Sequence, residues 1–344
     1  MAEYRRVVRK KKKKKSVFKR ILLFLLLILL AGGAYTAYVV VSAMQAADKS
    51  YSSLERGDKS ELREQAVELA KDPVSILIMG VEDYSTGGKG GRSDTLIVMT
   101  LNPKDKTMKM LSIPRDTLVK VKGHGETKIT HAYSYGGKEL TVQTVENFLD
   151  IPIDYYATVN FEAFKKVIDE LDGVEVDVPF DFYEKSDVTG KRIYFKEGKQ
   201  TLDGEEALAY ARMRKRDPRG DFGRNDRQKE IITAIIKKAT TPQNIWKVDD
   251  IANRISENVE TNLRISEAMG FQQSYSGFKT DQIDQLKIEG EDLNLESGYY
   301  YKPDEEKLDL VKAELQEHLE HKTVSIRDEQ DQNPFAEEDS TSGN

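Results

Sequence analysis

The sequence predicts an α/β fold: a layered domain with a central mixed β-sheet flanked by helices, displayed outside the cytoplasm behind a single-pass N-terminal membrane anchor. Three observations predict it. Ile21 to Val41 contains no charged residue, and a helix of that length, rising about 1.5 Å per residue, spans the roughly 30 Å hydrocarbon core of a bilayer. Residues 1–20 carry eleven Lys and Arg against the single acid Glu3, or +10; the whole chain is −6, so residues 21–344 carry −6 − 10 = −16. Beyond Pro73, short apolar runs of strand length alternate with helical periodicity, the pattern of stacked sheet and helix layers.

The elements follow in order. The basic tail, residues 1–20, stays in the cytoplasm by the positive-inside rule and can rest on anionic headgroups. Residues 21–41 form the transmembrane helix; the apolar run is long for a signal-peptide core, and Ser42-Ala43-Met44-Gln45-Ala46 lacks a clean A-x-A cleavage site, so it reads as a signal anchor. Residues 42–72 are polar and helix-compatible, with Leu54, Leu62, Val67 and Leu69 among charges, and read as a helical stalk. The main domain, 73–324, opens with Val74 to Met79, a nearly continuous apolar run expected of a strand buried on both faces. Thr95 to Leu101 and Met108 to Ile113 are further strands, joined by the turn Asn102-Pro103-Lys104-Asp105. Helical patterns at Glu139 to Leu149 and Phe161 to Leu171 bracket a strand at Asp154 to Val159. Val174 to Val178 alternates as a half-buried strand, and Phe182 to Phe195 reads as a hairpin or excursion. Ala207 to Met213 and Arg224 to Lys238 are helical, the second with a stripe of Ile231, Ile232, Ile235 and Ile236. Further helical patterns at Asp249 to Val259 and Asp304 to His318 read as packing elements. Residues 325–344 have little to bury and read as a disordered acidic tail.

Composition excludes several chemistries. With no cysteine, disulfides, thiolate nucleophiles and Cys-based zinc or iron–sulfur sites are ruled out. The four histidines, His124, His131, His318 and His321, show no HExxH or paired ligand spacing, which argues against a zinc hydrolase. No G-x-S-x-G nucleophile elbow is present. The Lys/Arg run is explained by the membrane span directly after it, so no nucleic-acid partner is expected.

Three clusters carry chemistry, each at a loop or element end. The stretch Gly80 to Asp94 follows the first strand and holds five glycines, bracketed by Glu82, Asp83 and Asp94. Carboxylates of this kind suit a hard cation holding phosphate oxygens, above all Mg²⁺ (or Mn²⁺); the plainer alternative is a solvated turn. In Ser112-Ile113-Pro114-Arg115-Asp116-Thr117 the proline ends strand pairing and aims Arg115 out of the sheet, although strand-end arginines also serve surface ion pairs. Residues 212–229 hold eight basic residues against three acids inside an acidic domain. Arginine grips phosphate bidentately, as lysine cannot. A second helix beginning near Gly223 puts Arg224, Arg227 and Gln228 in a first turn that favours anions, with Arg224 and Gln228 on one face.

At these clusters the chain resembles the LytR–CpsA–Psr family of bacterial cell-wall enzymes, and within it the teichoic-acid transferases of Gram-positive bacteria. The resemblance spans Pro73 to Lys238 and rests on Gly-Arg-Ser-Asp-Thr-Leu (91–96), Ser-Ile-Pro-Arg-Asp-Thr (112–117), His-Ala-Tyr-Ser-Tyr-Gly-Gly (131–137) and segment 212–228. It implies a sheet domain with an apolar pocket for a polyprenyl chain, and Mg²⁺-assisted transfer of an anionic glycopolymer, wall teichoic acid foremost, from its undecaprenyl-pyrophosphate carrier to peptidoglycan. It implies Asp94 as metal ligand and Arg115, Arg212, Arg214 and Arg224 as pyrophosphate ligands. Gln228 lies beside them, Lys128 is a further candidate, and Asp221 is the candidate base. Where the family has Gly-Val-Asp, this chain has Gly80-Val81-Glu82-Asp83, so the second metal-side carboxylate is Glu82 or Asp83. Two other readings stay open at this stage: a polyprenyl-pyrophosphate pyrophosphatase using the same residues, and a non-enzymatic wall-binding or regulatory protein.

Overall fold

The computed structural model describes residues 50–82, 91–241, 244, 251, 254–264, 267 and 282–321. The expected anchor at 21–41, both tails, Asp83 and residues 249, 250, 252 and 253 of the helical pattern at 249–259 lie outside them; that pattern ends instead in strand at Val259. No helix among the described residues is long and apolar enough to cross a membrane.

The strands are β1 (Val74–Val81), β2 (Ser93–Asn102), β3 (Thr107–Ile113), β4 (Leu118–Val121), β5 (Gly125–Lys128), β6 (Tyr155–Val159), β7 (Val174–Val178), β8 (Phe182–Lys185), β9 (Arg192–Phe195), β10 (Gly198–Leu202), β11 (Val259–Thr261), β12 (Ile283–Lys287), β13 (Gly290–Leu295) and β14 (Gly298–Pro303). The helices are α1 (His131–Leu149), α2 (Phe161–Glu170), α3 (Gly204–Arg212), α4 (Asp221–Ala239) and α5 (Glu305–His318). A six-stranded mixed sheet, in the order β11-β6-β1-β2-β3-β12, forms the centre. β1, β2 and β3 make an antiparallel meander. β6 joins β1 and β12 joins β3 in parallel.

Both faces of the sheet are covered, which explains why β1 and β2 read as continuous apolar runs. Alternation along β1 sends Leu77, Met79 and Val81 into one core with Val142, Val145 and Leu149 of α1 and Leu308 and Leu315 of α5. Val74, Ile76 and Ile78 face the other way, where Ile97, Met99 and Met110 meet Ile232 and Ile236 of α4. Ile231, on the far side of α4, belongs to a third cluster with Val174, Val176, Phe182, Phe195 and Tyr210. The isoleucine stripe therefore serves two cores. α3 opens on a capping box, in which the Asp203 side chain accepts from the Glu206 N–H, satisfying donors that a helix start leaves free.

The described part of segment 42–72, from Ser50 on, departs from expectation. Between Tyr51 and Asp72 there is no helix. Leu54 is buried in the first core and Leu69 in the second. Arg63 grips the buried Asp154 through Nε and Nη2 at 3.0 and 2.8 Å, and Ser60 donates to Glu146 at 2.6 Å. The polar residues that suggested a solvated helix are engaged in long-range bonds, which outweigh local helix propensity. Strands β4, β5 and β10 to β14 were also missed. β13, Gly-Glu-Asp-Leu-Asn-Leu, is mostly exposed and polar, so no apolar alternation marked it, while β4 buries only Val119 and Val121 in a run of four residues, too short to stand out.

Candidate active site

The site gathers at one end of the central strands, where β2 begins and β3 ends. Gly80 pairs with Thr95 while Val81 pairs with Ser93, so Asp94 is the extra residue of a β-bulge. Bulges re-aim side chains and cluster beside functional sites. A Cβ on Gly80 would stand 2.9 Å from the Thr95 Cβ, so only glycine lets the strands approach this closely. At the end of β3, the Pro114 carbonyl accepts from both the backbone N–H and the hydroxyl of Thr117, at 3.0 and 2.6 Å. That turn swings Arg115 back to Asp94, with Nη1 to Oδ1 at 2.6 Å.

The arginine-rich loop closes over the same point. α3 delivers Arg212, and the chain then turns through Asp217 and Gly220 into α4. Gly220 adopts φ +58, which favours glycine. Asp221 is the first residue of α4, and its Oδ1 lies 2.8 Å from Arg214 Nε and 3.1 Å from Arg224 Nη2. Neither contact has hydrogen-bond geometry. Asp221 Oδ1, Asp94 Oδ1, Arg115 Nε and Arg224 Nε are all buried polar atoms without a hydrogen-bond partner. Buried groups left in this state cost free energy unless a ligand completes them. The Arg224 guanidinium is held below its ordinary pKa, first by burial and then by the charges of Arg115 and Arg214, with Asp221 and Asp94 opposing. Three mutually repelling cations beside two carboxylates make a site built for an anion that brings more negative charge than the protein supplies.

An apolar cavity of about 390 Å³ lies between the sheet and α2, α3 and α4. Ile76 and Ile78, Met99, Phe164, and Ile232 and Ile236 line it; among the described residues Arg212 is its one charged lining residue, and Gln228 lines it too. Arg212 itself pairs with Asp187 at 2.7 Å.

The structure thus brings together Asp94, Arg115, Arg214, Asp221 and Arg224, and puts Arg212 and Gln228 on the cavity wall. Lys128 stands one step away, its Nζ 2.7 Å from Asp116 Oδ1. Glu82 is half-buried just after β1. Arg227 is a correction. α4 starts at Asp221 rather than near Gly223, which moves Arg227 and Gln228 out of the first turn. The Arg227 side chain is 2 % exposed and bonds Asp217 and the carbonyls of Tyr210 and Met213. It holds the loop together and has no free donor face for substrate. Asp116 was overlooked: it is 6 % exposed and couples Arg115 to Lys128. Its place directly after Arg115 was the available signal. His131 accepts or donates one bond with Thr127, and burial, then Arg92 and Lys128, lower its pKa.

Among the described residues no group of three or more His, Asp or Glu is placed to hold a metal. A Mg²⁺ ion needs less, since it is commonly bound by one or two carboxylates plus substrate phosphates and water. Asp94 Oδ1 and Asp221 Oδ1, which lie against arginines but accept no hydrogen bond, are hard donors that fit this pattern.

An apolar cavity with Arg212 on its wall and a cluster of arginines and carboxylates at the start of β2, on a mixed sheet with helices on both faces, corresponds to a known class. The chain belongs to the LytR_cpsA_psr family, whose model matches residues 37–317. It is similar to the polyisoprenyl-teichoic acid–peptidoglycan teichoic acid transferase TagV of Bacillus subtilis (strain 168), 59% identical over 290 residues, covering 83% of this chain and 74% of TagV. The crystal structure of B. subtilis TagV superposes with a TM-score of 0.68 at 60% identity, over 74% of this chain and 99% of that one. TagT with bound octaprenyl pyrophosphate lipid gives a TM-score of 0.63 at 38% identity, over 78% and 99% of the two chains; TagT bound to LIIa-WTA gives 0.67 at 39%, over the same shares.

Proposed function

We propose that this chain transfers wall teichoic acid from a polyprenyl-pyrophosphate carrier to peptidoglycan. The observation that carries the reading is an apolar cavity whose wall includes Gly80, Thr95, Arg212 and Gln228, next along the chain to Asp94 and to the Arg115–Arg214–Arg224 cluster, in which the buried Nε atoms of Arg115 and Arg224 have no hydrogen-bond partner. The cavity takes the prenyl chain, and Arg212 and Gln228 at its wall meet the carrier where hydrocarbon gives way to phosphate. TagT in the solved complexes binds an octaprenyl pyrophosphate and a wall teichoic acid lipid, in keeping with this division.

In the reaction, a hydroxyl oxygen of peptidoglycan, the N-acetylmuramic acid 6-hydroxyl, attacks the polymer-side phosphorus. The bond from that phosphorus to the bridging oxygen breaks, and polyprenyl phosphate leaves. Arg115, Arg214 and Arg224 hold the pyrophosphate in line and neutralise charge on its oxygens. Asp221, one oxygen of which has no hydrogen-bond partner, receives the hydroxyl proton. Asp94, with Glu82 or Asp83 as the second carboxylate, would hold Mg²⁺ (or Mn²⁺), which when bound adds charge neutralisation on the phosphates. Residues 21–41 anchor the chain as a single-pass type II membrane protein, with the basic tail 1–20 in the cytoplasm and the catalytic domain facing the wall.

The test is transfer in vitro by the full chain in detergent, using a lipid-pyrophosphate-linked teichoic acid and un-crosslinked peptidoglycan, with and without Mg²⁺. Polymer attached to peptidoglycan, and lost in Arg115→Ala, is the expected result. Cleaved lipid with free phosphorylated polymer would overturn it in favour of hydrolysis.

A further inference from the structure

Away from the arginines, a cleft of about 630 Å³ opens between β4, the end of α1 and α5. Four lysines line it, Lys120, Lys122, Lys302 and Lys312, against two acids, Glu126 and Glu305. That excess of positive charge stands in a region, residues 21–344, that carries −16. We infer that this cleft is the docking track for the phosphate-repeat chain of the donor polymer, the part beyond the pyrophosphate. The inference deepens the transferase reading and rests on it.

The strand β4 links this cleft to the active site. β4 leaves the Arg115-Asp116-Thr117 turn, and in the β4–β5 ribbon Leu118 pairs with Lys128 and Lys120 with Glu126. Side chains of paired residues share a face, and so do positions two apart. Leu118, Lys120, Glu126 and Lys128 therefore stand on one face of the ribbon, with Lys128 at the active-site end beside Asp116. β14 runs alongside, with Tyr301 bridged in parallel to Thr117, which brings Lys302 next to Leu118. At about 3.3 Å per residue, Leu118 to Lys122 extends the track roughly 13 Å from the reacting end.

The charges are available for a partner. Lys120, Lys122 and Lys302 are exposed, and among the described residues none of the three has an ion-pair partner. Lys109, Lys128 and Lys138, by contrast, are each paired with a carboxylate. Between the lysines, Leu118, Phe148 and Leu308 give an apolar floor suited to the carbon skeleton of a polyol phosphate. A row of cations over such a floor complements a polyanion in both charge and shape.

The test uses the full chain in detergent and the triple variant K120Q/K122Q/K302Q. The probe is a lipid-free glycerol-phosphate oligomer of defined length. The variant should keep the parent melting temperature and bind the oligomer about tenfold more weakly, the combined loss of three exposed ion pairs. Its KM should rise for donors with long chains and stay unchanged for a donor carrying a single repeat, with kcat preserved on both. Equal oligomer affinity in parent and variant would overturn the proposal. So would a variant that loses affinity for phosphatidylglycerol vesicles or for an acidic muropeptide but keeps it for the oligomer. Single-repeat turnover separates the two readings: if the parent transfers that donor yet ignores the oligomer, the track fails and the transferase stands. If the parent transfers neither donor, the transferase fails first.

Discussion

Arg224 and Arg227 are three residues apart on α4 and do opposite work. Arg224 keeps a buried Nε without a partner among Asp94, Arg115 and Asp221, whereas Arg227 spends its donors on Asp217, Tyr210 and Met213. Arg224→Ala should therefore lower transfer by about 10²-fold or more, the usual effect of removing a charge-stabilising donor, while the melting temperature changes little. Arg227→Ala should cost about 3–5 kcal/mol, because it takes from the buried Asp217 its buried cationic partner and leaves only the exposed Arg219. Burial alone would push the Asp217 carboxyl up, but bonds from the Arg219 N–H and Arg227 hold it below the usual range. Parallel melts and single-turnover assays on the two variants separate the roles; equal loss of stability in both would contradict them.

At the scale of elements, the start of α4 is the piece that aligns the site. Gly223 lies against the Asp217 carboxylate, where an added Cβ would come within 1.8 Å of Oδ2. Gly223→Ala must displace Asp217 from Arg227, and should cost about 1–3 kcal/mol as an overpacked contact, read as a lower denaturant midpoint. Further along, Ile232 lines the cavity from α4. Ile232→Trp should fill it, raising the KM for long-prenyl donors while sparing a short-prenyl one; equal effects on both donors would mean that the chain binds elsewhere.

Across the whole molecule, His318 ties the end of α5 to the sheet. Its Nδ1 lies 2.7 Å from the Thr100 hydroxyl and its Nε2 2.9 Å from that of Thr107. Burial, then Lys109, lowers its pKa to about 4. In the unfolded chain the ring titrates near 6.5, so below that value the unfolded state binds the extra proton. The contribution is complete above about 6.5, declines as pH falls toward 4, and amounts to on the order of 3 kcal/mol. His318→Asn should flatten that part of the stability–pH profile in urea titrations; an unchanged slope would point to another group. Orientation is tested at the same scale: a reporter active only outside the cytoplasm, fused after Val41, should be active.

Much of this was legible in the sequence, for a physical reason. Strands buried on both faces must be apolar throughout, so β1, β2 and β3 stood out, and helices with an apolar stripe revealed α2 and α4. Glycine and proline punctuate the chain where backbone geometry is special, which exposed the neighbourhoods of Asp94, Arg115 and Arg224. The net charge of residues 1–20 and the uncharged run after them fixed the expectation of an anchor without any fold. Burial and partnership, however, are properties of the folded whole. No local pattern distinguishes Arg227, locked in the interior, from Arg224, poised in the site, or shows that Arg63 and Leu54 belong to the body of the domain. The cavity is assembled from β1, β2, β3, α2, α3 and α4, and the lysine cleft joins β4 to β14 and α5 across almost two hundred residues. Side chains that distant meet by packing alone, so the tertiary structure decided them.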